Sequence, residues 1–428
     1  MRFFLRYTLA VTLAVAASSM ATGAQPTLAR VLPAQKPPQW NDAPVLHAAT
    51  PDEAGMDGEF LSRTIDSIVH AAIEAHAFPG CQLFVARGGK VVIDKSFGYH
   101  DYTCATAVEP DHLYDLASVT KMAASTLALA RLADHRAIKP DDRFSKFYPP
   151  FRGTDREKIT FREILTHRSG LPSGVPQPWL LTRERLVDTI RTIPLRTKVY
   201  RYSDLPFILM PPVVSAADGR GRDFETFLAE EFYRPMGVGL TFNPLEHGVP
   251  LEKIVPTEVD SLWRMSLVHG TVHDESAAVM GGVSGNAGLF GTARDMAVVM
   301  QMVLNGGVYD GIRYLTPATV EMFTRQQYTS TAINNRRALG FDRPLRGNDT
   351  LAFEKSYPAP GASQRSFGHT GFTGTIAWAD PDAGLVYVLL CNRVTPSRNN
   401  PAFISSRVRY ALQQAVYDAI ARFEGTSK

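Results

Sequence analysis

The stretch LYDLASVTKMAASTLALARLADH, residues 113–135, places a serine and a lysine at the head of an apolar repeat. Ser118 and Lys121 are three residues apart, and residues with this spacing lie on one face of a helix. If the helix begins at Ser118, both side chains point into the same space, where helix N-terminal amides favour negative charge. Serine is also a common helix cap, and about one such pair is expected by chance in a chain of this length. The pair therefore indicates a nucleophile with a neighbouring base only if other motifs support it.

The two ends of the chain share one pattern of elements. An amphipathic helix, EFLSRTIDSIVHAAIEA, carries the apolar stripe Leu61, Ile65, Ile68 and Ala72. It precedes CQLFVARGGKVVIDKSFG, whose Gly-Gly pair between two β-rich runs predicts a tight hairpin. Near the other end, GTIAWADPDAGLVYVLLCN predicts a second hairpin turning at 380–384, and FISSRVRYALQQAVYDAIARF predicts a closing helix. We therefore predict an α+β fold in which terminal helices cover one antiparallel sheet.

The segment between these ends is mostly helical and loop-like in pattern. We predict an α/β lobe from about 51–117 and 367–428, with a helical lobe at about 118–366 inserted into it. The two lobes together would form one domain over residues 51–428, with the active site in the cleft between them.

The N-terminus has the pattern of a secretory signal. Arg2 and Arg6 precede an apolar run at residues 7–17. A cleavage site made of small residues then ends near Ala24. This predicts a signal peptide at 1–24, followed by a Pro- and Ala-rich extended lead-in at 25–50. We expect an exported protein, periplasmic or secreted, with no stable membrane insertion after removal of the signal; the alternative is a retained anchor.

The charge balance argues against a nucleic-acid partner, and the cysteine spacing argues against a cysteine-bound metal. Lys and Arg total 45 against 42 Asp and Glu, which leaves no electrostatic footprint for nucleic acid. Cys81, Cys104 and Cys391 lack metal-ligand spacing; Cys81 with Cys104 is a conceivable disulfide that we do not predict.

The histidines of two further segments do not indicate a metal site. His269 and His273 lie in VHGTVHDE, where glycine and β-branched residues disfavour a metal-binding helix face. We expect them, with His167 of ILTHRSGL, to be polar loop residues near the cleft. We expect no metal and no cofactor.

Two motifs downstream of Ser118 follow in a recognisable order. YRYSDLPFILM contains Tyr202 and Asp204, and SFGHTGFTGTIAW contains His369, Thr370 and Gly371. S-x-x-K, Y-x-[N/D] and [K/H]-T-G occur in this order in serine β-lactamases and penicillin-binding proteins. From about residue 55 to 422 the sequence resembles the class C β-lactamase superfamily, which includes D-Ala-D-Ala carboxypeptidases and esterases. ILTHRSGLPSG and MGGVSGNAGLFGTARDMA add to this resemblance.

The resemblance implies acyl transfer through a covalent acyl-enzyme. Ser118 would attack a carbonyl, Lys121 and Tyr202 would share the role of general base, and Tyr202 would protonate the leaving group. The backbone amides of Ser118 and Phe372 would form the oxyanion hole.

The HTG segment would open the first strand of the C-terminal hairpin at the edge of the cleft. His369 and Thr370 would contact substrate or help orient Tyr202. Gly371 and Gly374, which lack side chains, would let a substrate lie against this strand.

Two positions depart from the commoner family pattern. His369 stands where lysine is usual, which removes a positive charge for a substrate carboxylate. Asp204 stands where asparagine is usual, so an acceptor-only anion replaces a neutral amide. This anion could hold Lys121 protonated and would repel an anionic substrate, which favours a peptidase or esterase over a β-lactamase.

We predict a monomeric, exported serine hydrolase acting on D-amino-acid peptides of peptidoglycan or on small esters or amides. The first alternative is a true class C-type β-lactamase. The second is a catalytically silent cell-wall or penicillin-binding module with the same fold.

Overall fold

A computed structural model describes residues 43–330 and 333–426 of the chain. The predicted signal peptide at 1–24 and the lead-in up to residue 42 lie outside the described residues. Where the description begins, the lead-in is extended and supplies a short strand to the main sheet.

The main sheet has six strands contributed by both ends of the chain. They are β1 His47–Ala48, β2 Gly80–Arg87, β3 Lys90–Gly98, β4 Phe367–Thr370, β5 Ile376–Asp380 and β6 Leu385–Cys391. Their order across the sheet is β1-β3-β2-β6-β5-β4. All neighbours are antiparallel as predicted, except that β1 pairs with β3 in parallel.

Two hairpins form where the turn residues predicted them. Gly88 and Gly89 both have positive φ, 57° and 81°, which suits the mirror-image turn that matches strand twist. Residues between Asp380 and Leu385 join β5 to β6. The pairing of β2 with β6 then joins the two ends of the chain, and it brings Cys81 opposite Cys391.

Side chains of β6 alternate between two hydrophobic cores because successive residues point to opposite faces of a sheet. Leu385, Tyr387 and Leu389 pack with the terminal helices. Val386 and Val388 pack on the other face, where helix Ala293–Leu304 lies against the sheet. The segment 118–366 is therefore not wholly a separate lobe, since one of its helices covers the sheet.

The described part of the chain contains the α-helices Gly58–Glu74, Leu127–Asp134, Phe161–Leu165, Arg183–Thr192, Leu205–Ile208, Met210–Asp218, Phe224–Leu228, Arg234–Met236, Glu275–Val279, Ala293–Leu304, Pro317–Thr324, Ala402–Ser406 and Val408–Thr426. It also contains two π-helical segments, Lys121–Thr126 and Ala229–Tyr233. Single 3-10 turns are Phe144–Lys146, Pro149–Phe151, Pro178–Leu180, Leu251–Lys253, Asn348–Thr350 and Phe353–Lys355. Three two-stranded ladders pair Tyr114–Asp115 with Phe290–Gly291, Val259–Asp260 with Ser266–Leu267, and Val308–Tyr309 with Ile312–Arg313. Across the described residues, no helix combines the length and the apolar character that crossing a membrane requires.

Two helix predictions differ in detail from the structure. In the first helix the buried stripe contains Val69 rather than Ile68, which is only partly buried. The predicted closing helix is interrupted at Arg407, whose φ of 50° ends Ala402–Ser406 before Val408–Thr426 begins.

Leu389 provides a test of the sheet core. Its side chain is fully buried between β6 and the terminal helices, so Leu389→Ala leaves a cavity that costs about 2–5 kcal/mol of stability. We expect a Tm several degrees below wild type by calorimetry. Ile404→Ala, at a side chain that is 60% exposed, is the control and should leave Tm unchanged. Equal Tm values for the two variants would contradict the assigned core.

Candidate active site

Ser118 lies in a tight turn immediately before the π-helical segment Lys121–Thr126. The preceding residue, Ala117, has a φ of 47°, which is uncommon for a residue with a side chain. Asp115 stabilises this turn because its Oδ1 accepts a hydrogen bond from the Ala117 amide at 2.8 Å. Backbone strain and π-helical turns both concentrate at functional sites.

The Lys121 ammonium is surrounded by oxygen atoms from three segments. Nζ lies 3.0 Å from Ser118 Oγ, 2.9 Å from the Asn286 carbonyl and 2.5 Å from Asp204 Oδ1. Lys121 is fully buried, whereas Ser118 and Asp204 are partly exposed. The hydroxyl therefore faces the cleft with the ammonium directly behind it.

Lys121 carries a proton in this environment. Burial acts to lower its pKa, but the Asp204 carboxylate and the Tyr202 phenol together outweigh burial, so the pKa is raised. The general-base role that Lys121 was expected to share with Tyr202 requires a neutral amine, and the Asp204 ion pair opposes that state. Lys121 is thus positioned as a fixed cation.

The Tyr202 side chain completes the group. Its phenol lies close enough to Lys121 and Ser118 for both to lower its pKa, and Lys121 Nζ lies 5.1 Å from the ring centroid. Burial raises the pKa of Tyr202, and the Lys121 charge opposes that rise. The Arg337 guanidinium lies 5.7 Å from the same ring, so two cations face this tyrosine. Hydroxyl, ammonium and phenol, distant in sequence, are therefore brought together.

His369 is buried beside Tyr202 and is neutral. The two ring centroids are 6.1 Å apart, and His369 Nδ1 donates to the Thr370 carbonyl at 2.8 Å. Burial, with the nearby charges of Arg337 and Lys121, lowers the pKa of His369 to about 3. His369 therefore supplies no positive charge at neutral pH.

The HTG segment occupies a different place in the sheet from the one predicted. His369 and Thr370 end β4, an edge strand that pairs with β5, so they close a strand rather than open the C-terminal hairpin. Asp342 already exchanges two backbone hydrogen bonds with Gly368 on the outer edge of β4. The outer edge available to a substrate is correspondingly shorter.

The loop after β4 is bound to the turn before Ser118. Thr373 Oγ1 donates to the Asp115 carbonyl at 2.8 Å, and Thr375 Oγ1 donates to the Leu116 carbonyl at 3.0 Å. A Cβ on Gly371 would lie 2.1 Å from Thr375 Oγ1 and 2.6 Å from the Leu116 carbonyl oxygen. The protein's own close packing therefore requires glycine at residue 371.

Gly374 is also constrained by close packing. Its φ is 120°, and a Cβ there would lie 2.5 Å from Cys391 Sγ. Glycine at this position therefore accommodates β6.

Phe372 is held in the same loop with its side chain 49% exposed. The ring lies between the His273 ring, at 5.7 Å, and the Arg393 guanidinium, at 4.4 Å. Arg393 Nε also donates to the Phe372 carbonyl at 2.7 Å. Within residues 43–330 and 333–426, neither the Ser118 amide nor the Phe372 amide donates a hydrogen bond to the protein, so both remain available to an oxygen atom of a ligand.

Sequence reasoning missed several residues of the site. Asn286, Thr373 and Thr375 lie inside or next to quoted motifs, so those motifs were a signal that could have found them. Arg337 and Arg393 lie in no motif, and no local pattern indicates their roles.

Of the histidines expected near the cleft, His167 lies against Tyr202, and His273 forms a pair with a carboxylate. The ring of His167, expected near the cleft, lies 4.4 Å from that of Tyr202. His273 Nε2 pairs with Glu258 at 2.9 Å. In the part of the chain that is described, no cluster of His, Cys, Asp or Glu could hold a metal.

Comparisons with known proteins identify the family and the fold to which this chain is similar. Residues 65–405 match the sequence profile of the Beta-lactamase family. A curated protein of Escherichia coli (strain K12) named "Putative D-alanyl-D-alanine carboxypeptidase" is 31% identical over 420 residues, covering 88% of this chain and 93% of that protein.

Two solved structures share the fold. A penicillin-binding protein homologue from Caulobacter crescentus has a TM-score of 0.64 and 22% identity, covering 84% of this chain and 99% of that chain. EstCE1, described as a hydrolase with promiscuous acyltransferase activity, has a TM-score of 0.64 and 19% identity over the same shares. At these identities the likeness concerns the fold alone, and it confirms the predicted fold class.

Asp204 controls the charge of the site, which Asp204→Asn tests. The carboxylate raises the pKa of both Lys121 and Tyr202, so its removal lowers both. We expect the pH profile of covalent labelling at Ser118 by a fluorophosphonate to move to lower pH. Asp188→Asn, which neutralises an exposed carboxylate paired with Arg191, is the control and should leave the profile in place. A pH profile of labelling for Asp204→Asn that is unchanged from wild type, or that moves to higher pH, would contradict the assigned role.

Proposed function

Since the chain belongs to the Beta-lactamase family of serine hydrolases, we propose that it hydrolyses D-amino-acid peptides of peptidoglycan through an acyl-enzyme. The observation that carries the proposal is the 3.0 Å contact between Ser118 Oγ and Lys121 Nζ, with the Tyr202 side chain close to both. Small esters or amides of similar shape are the broader substrate class that the same chemistry would accept.

In the acylation step, Tyr202 acts as a phenolate, and its Oη takes the proton of Ser118 Oγ as that oxygen attacks the substrate carbonyl. Lys121 keeps its own proton, because Asp204 stabilises the ammonium, and it favours the phenolate form of Tyr202. The amides of Ser118 and Phe372 stabilise the negative charge that develops on the carbonyl oxygen. Tyr202 then donates the proton to the departing amine or alcohol, which leaves Ser118 esterified.

In the deacylation step, water replaces the departed group. Tyr202 takes a proton from the water, whose oxygen attacks the ester carbon, and returns that proton to Ser118 Oγ as the ester bond breaks. The products are a carboxylic acid and the free enzyme. No group outside the chain is needed to balance the protons.

The substrate class rests on the relative from Escherichia coli, which is named for D-alanyl-D-alanine carboxypeptidase activity and spans nearly the whole chain. Asp204 and neutral His369 offer no positive charge for a substrate carboxylate beside Ser118, whether it belongs to a β-lactam or to a peptide terminus. The N-terminal pattern at 1–24 further supports action outside the cytoplasm, in the periplasm or medium, and we propose a monomer acting there.

A hydrolysis panel on the purified chain tests this assignment. It compares a D-Ala-D-Ala peptide, p-nitrophenyl esters and the β-lactam nitrocefin. Cleavage of the peptide with slow nitrocefin turnover is expected. Faster turnover of nitrocefin than of the peptide would favour a true β-lactamase, and no turnover of any substrate would favour a silent binding module.

The nucleophile is tested by covalent labelling. A fluorescent penicillin or fluorophosphonate should label the wild-type protein, and Ser118→Ala should abolish the signal because it removes the hydroxyl held 3.0 Å from Lys121 Nζ. The matched control is Ser405→Ala, at an exposed serine, which should label like wild type. Equal labelling of Ser118→Ala would refute the nucleophile.

Tyr202 is tested by removing its hydroxyl alone. Tyr202→Phe keeps the ring packed against His167 but removes the proton carrier, so acylation should slow by roughly 10²- to 10⁴-fold. Stopped-flow acylation by a chromogenic ester measures the rate. Tyr99→Phe, at a tyrosine that is 40% exposed, is the control and should keep the wild-type rate. A Tyr202→Phe rate equal to wild type would remove this residue from the chemistry.

A further inference from the structure

A cavity of about 590 Å³ lies next to the candidate active site. Its size falls within the range of roughly 300–1,000 Å³ that is usual for small-ligand sites. The described lining contains two arginines, Arg336 and Arg346, together with Tyr200 and four side-chain amides. No aspartate or glutamate is among these lining residues, so the wall is cationic and polar.

The cavity and the active site share a wall. Tyr200 lies two residues before Tyr202, and the ring of His167 contacts both, at 6.4 Å and 4.4 Å between centroids. Arg336 lines the cavity, and the next residue, Arg337, directs its guanidinium over the Tyr202 ring. Tyr202 does not itself line the cavity, so a ligand there would be separated from it by the neighbouring side chains.

Two guanidiniums, Arg336 in the cavity wall and the buried Arg337 behind it, share one carboxylate. The carboxylate of Asp342 is shared by Arg336, at 3.0 Å, and Arg337, at 3.6 Å. Arg337 is buried, and its Nε and Nη2 have no hydrogen-bond partner among the described residues. One carboxylate thus opposes two guanidiniums.

Arg346 is the second arginine that lines the cavity. Its Nη2 donates to the neutral Thr329 carbonyl at 3.1 Å, which leaves its charge uncompensated by that contact. Arg346 is exposed, so a ligand can reach its side chain from solvent.

We propose that this cavity binds a carboxylate of the peptide substrate, one distinct from the carbonyl under attack, and that the preferred substrate is an acidic peptide. The proposal rests on the proposed function. Guanidinium groups match carboxylates with two parallel hydrogen bonds, and the excess of arginine here selects for that chemistry. The arginines thereby provide, in the neighbouring cavity, the positive charge that neutral His369 does not provide at the end of β4.

Inhibition of ester hydrolysis tests the cavity without requiring peptide turnover. Inhibition constants against p-nitrophenyl acetate are measured for a D-Ala-terminated peptide with a free side-chain carboxylate and for its carboxamide counterpart. We expect the acidic peptide to bind about tenfold more tightly, as one charge-assisted contact allows. Raising the salt concentration should reduce this ratio.

Charge-reversal variants assign the preference to the cavity. Arg346→Glu should abolish or invert the ratio, whereas Arg346→Lys should retain part of it. Arg185→Glu makes the same charge change at an exposed residue of helix Arg183–Thr192, outside the cavity lining, and should keep the full wild-type ratio.

Equal inhibition by the two peptides, or a preference that survives Arg346→Glu, would overturn the proposal. The outcome is separable from that of the proposed function. A tenfold preference without cleavage of either peptide would retain the cavity and reject peptidase activity. Cleavage of both peptides with equal inhibition constants would do the reverse.

Discussion

The buried ammonium of Lys121 is the charge on which the rest of the site depends. An unpaired charge in a protein interior costs several kcal/mol, so its three oxygen partners must be held in place. These partners come from Ser118, Asp204 and Asn286, in three separate parts of the chain. Satisfying this one cation therefore requires the turn before the first inserted helix, the loop that carries Tyr202 and the segment before helix Ala293–Leu304 to meet. The catalytic geometry follows from the same requirement.

The two departures from the commoner family pattern are explained by one charge balance. Asp204 places a carboxylate against Lys121 and keeps it protonated. A lysine in place of His369 would set a third cation near Lys121 and Arg337, in a buried position where repulsion is weakly screened. A neutral imidazole avoids that cost. The carboxylate at Asp204 and the neutral imidazole at His369 therefore both reduce the positive charge around Ser118.

Local signals explain which parts of this structure were predictable. The Gly88-Gly89 turn and the period-two alternation of β6 act over a few residues, so both hairpins and the sheet faces followed from sequence. The break at Arg407 and the position of the HTG segment at the end of β4 depend on tertiary packing, which no local pattern records. The same holds within the site. Motif order indicates Ser118, Lys121 and Tyr202 as a group, but Arg337 reaches Tyr202 from a loop without any motif.

The loop after β4 shows why specificity in this chain belongs outside the reacting centre. Thr373 and Thr375 fix that loop to the turn before Ser118, and Gly371 leaves no room for a side chain between them. Donors held this rigidly can stabilise an oxyanion without reorganising, which lowers the barrier for any carbonyl that fits. Such an arrangement discriminates poorly between acyl groups, since it contacts only the atoms common to all of them. Discrimination must then come from surfaces that contact the rest of the substrate, which is the role proposed for the arginine-lined cavity beyond Tyr202.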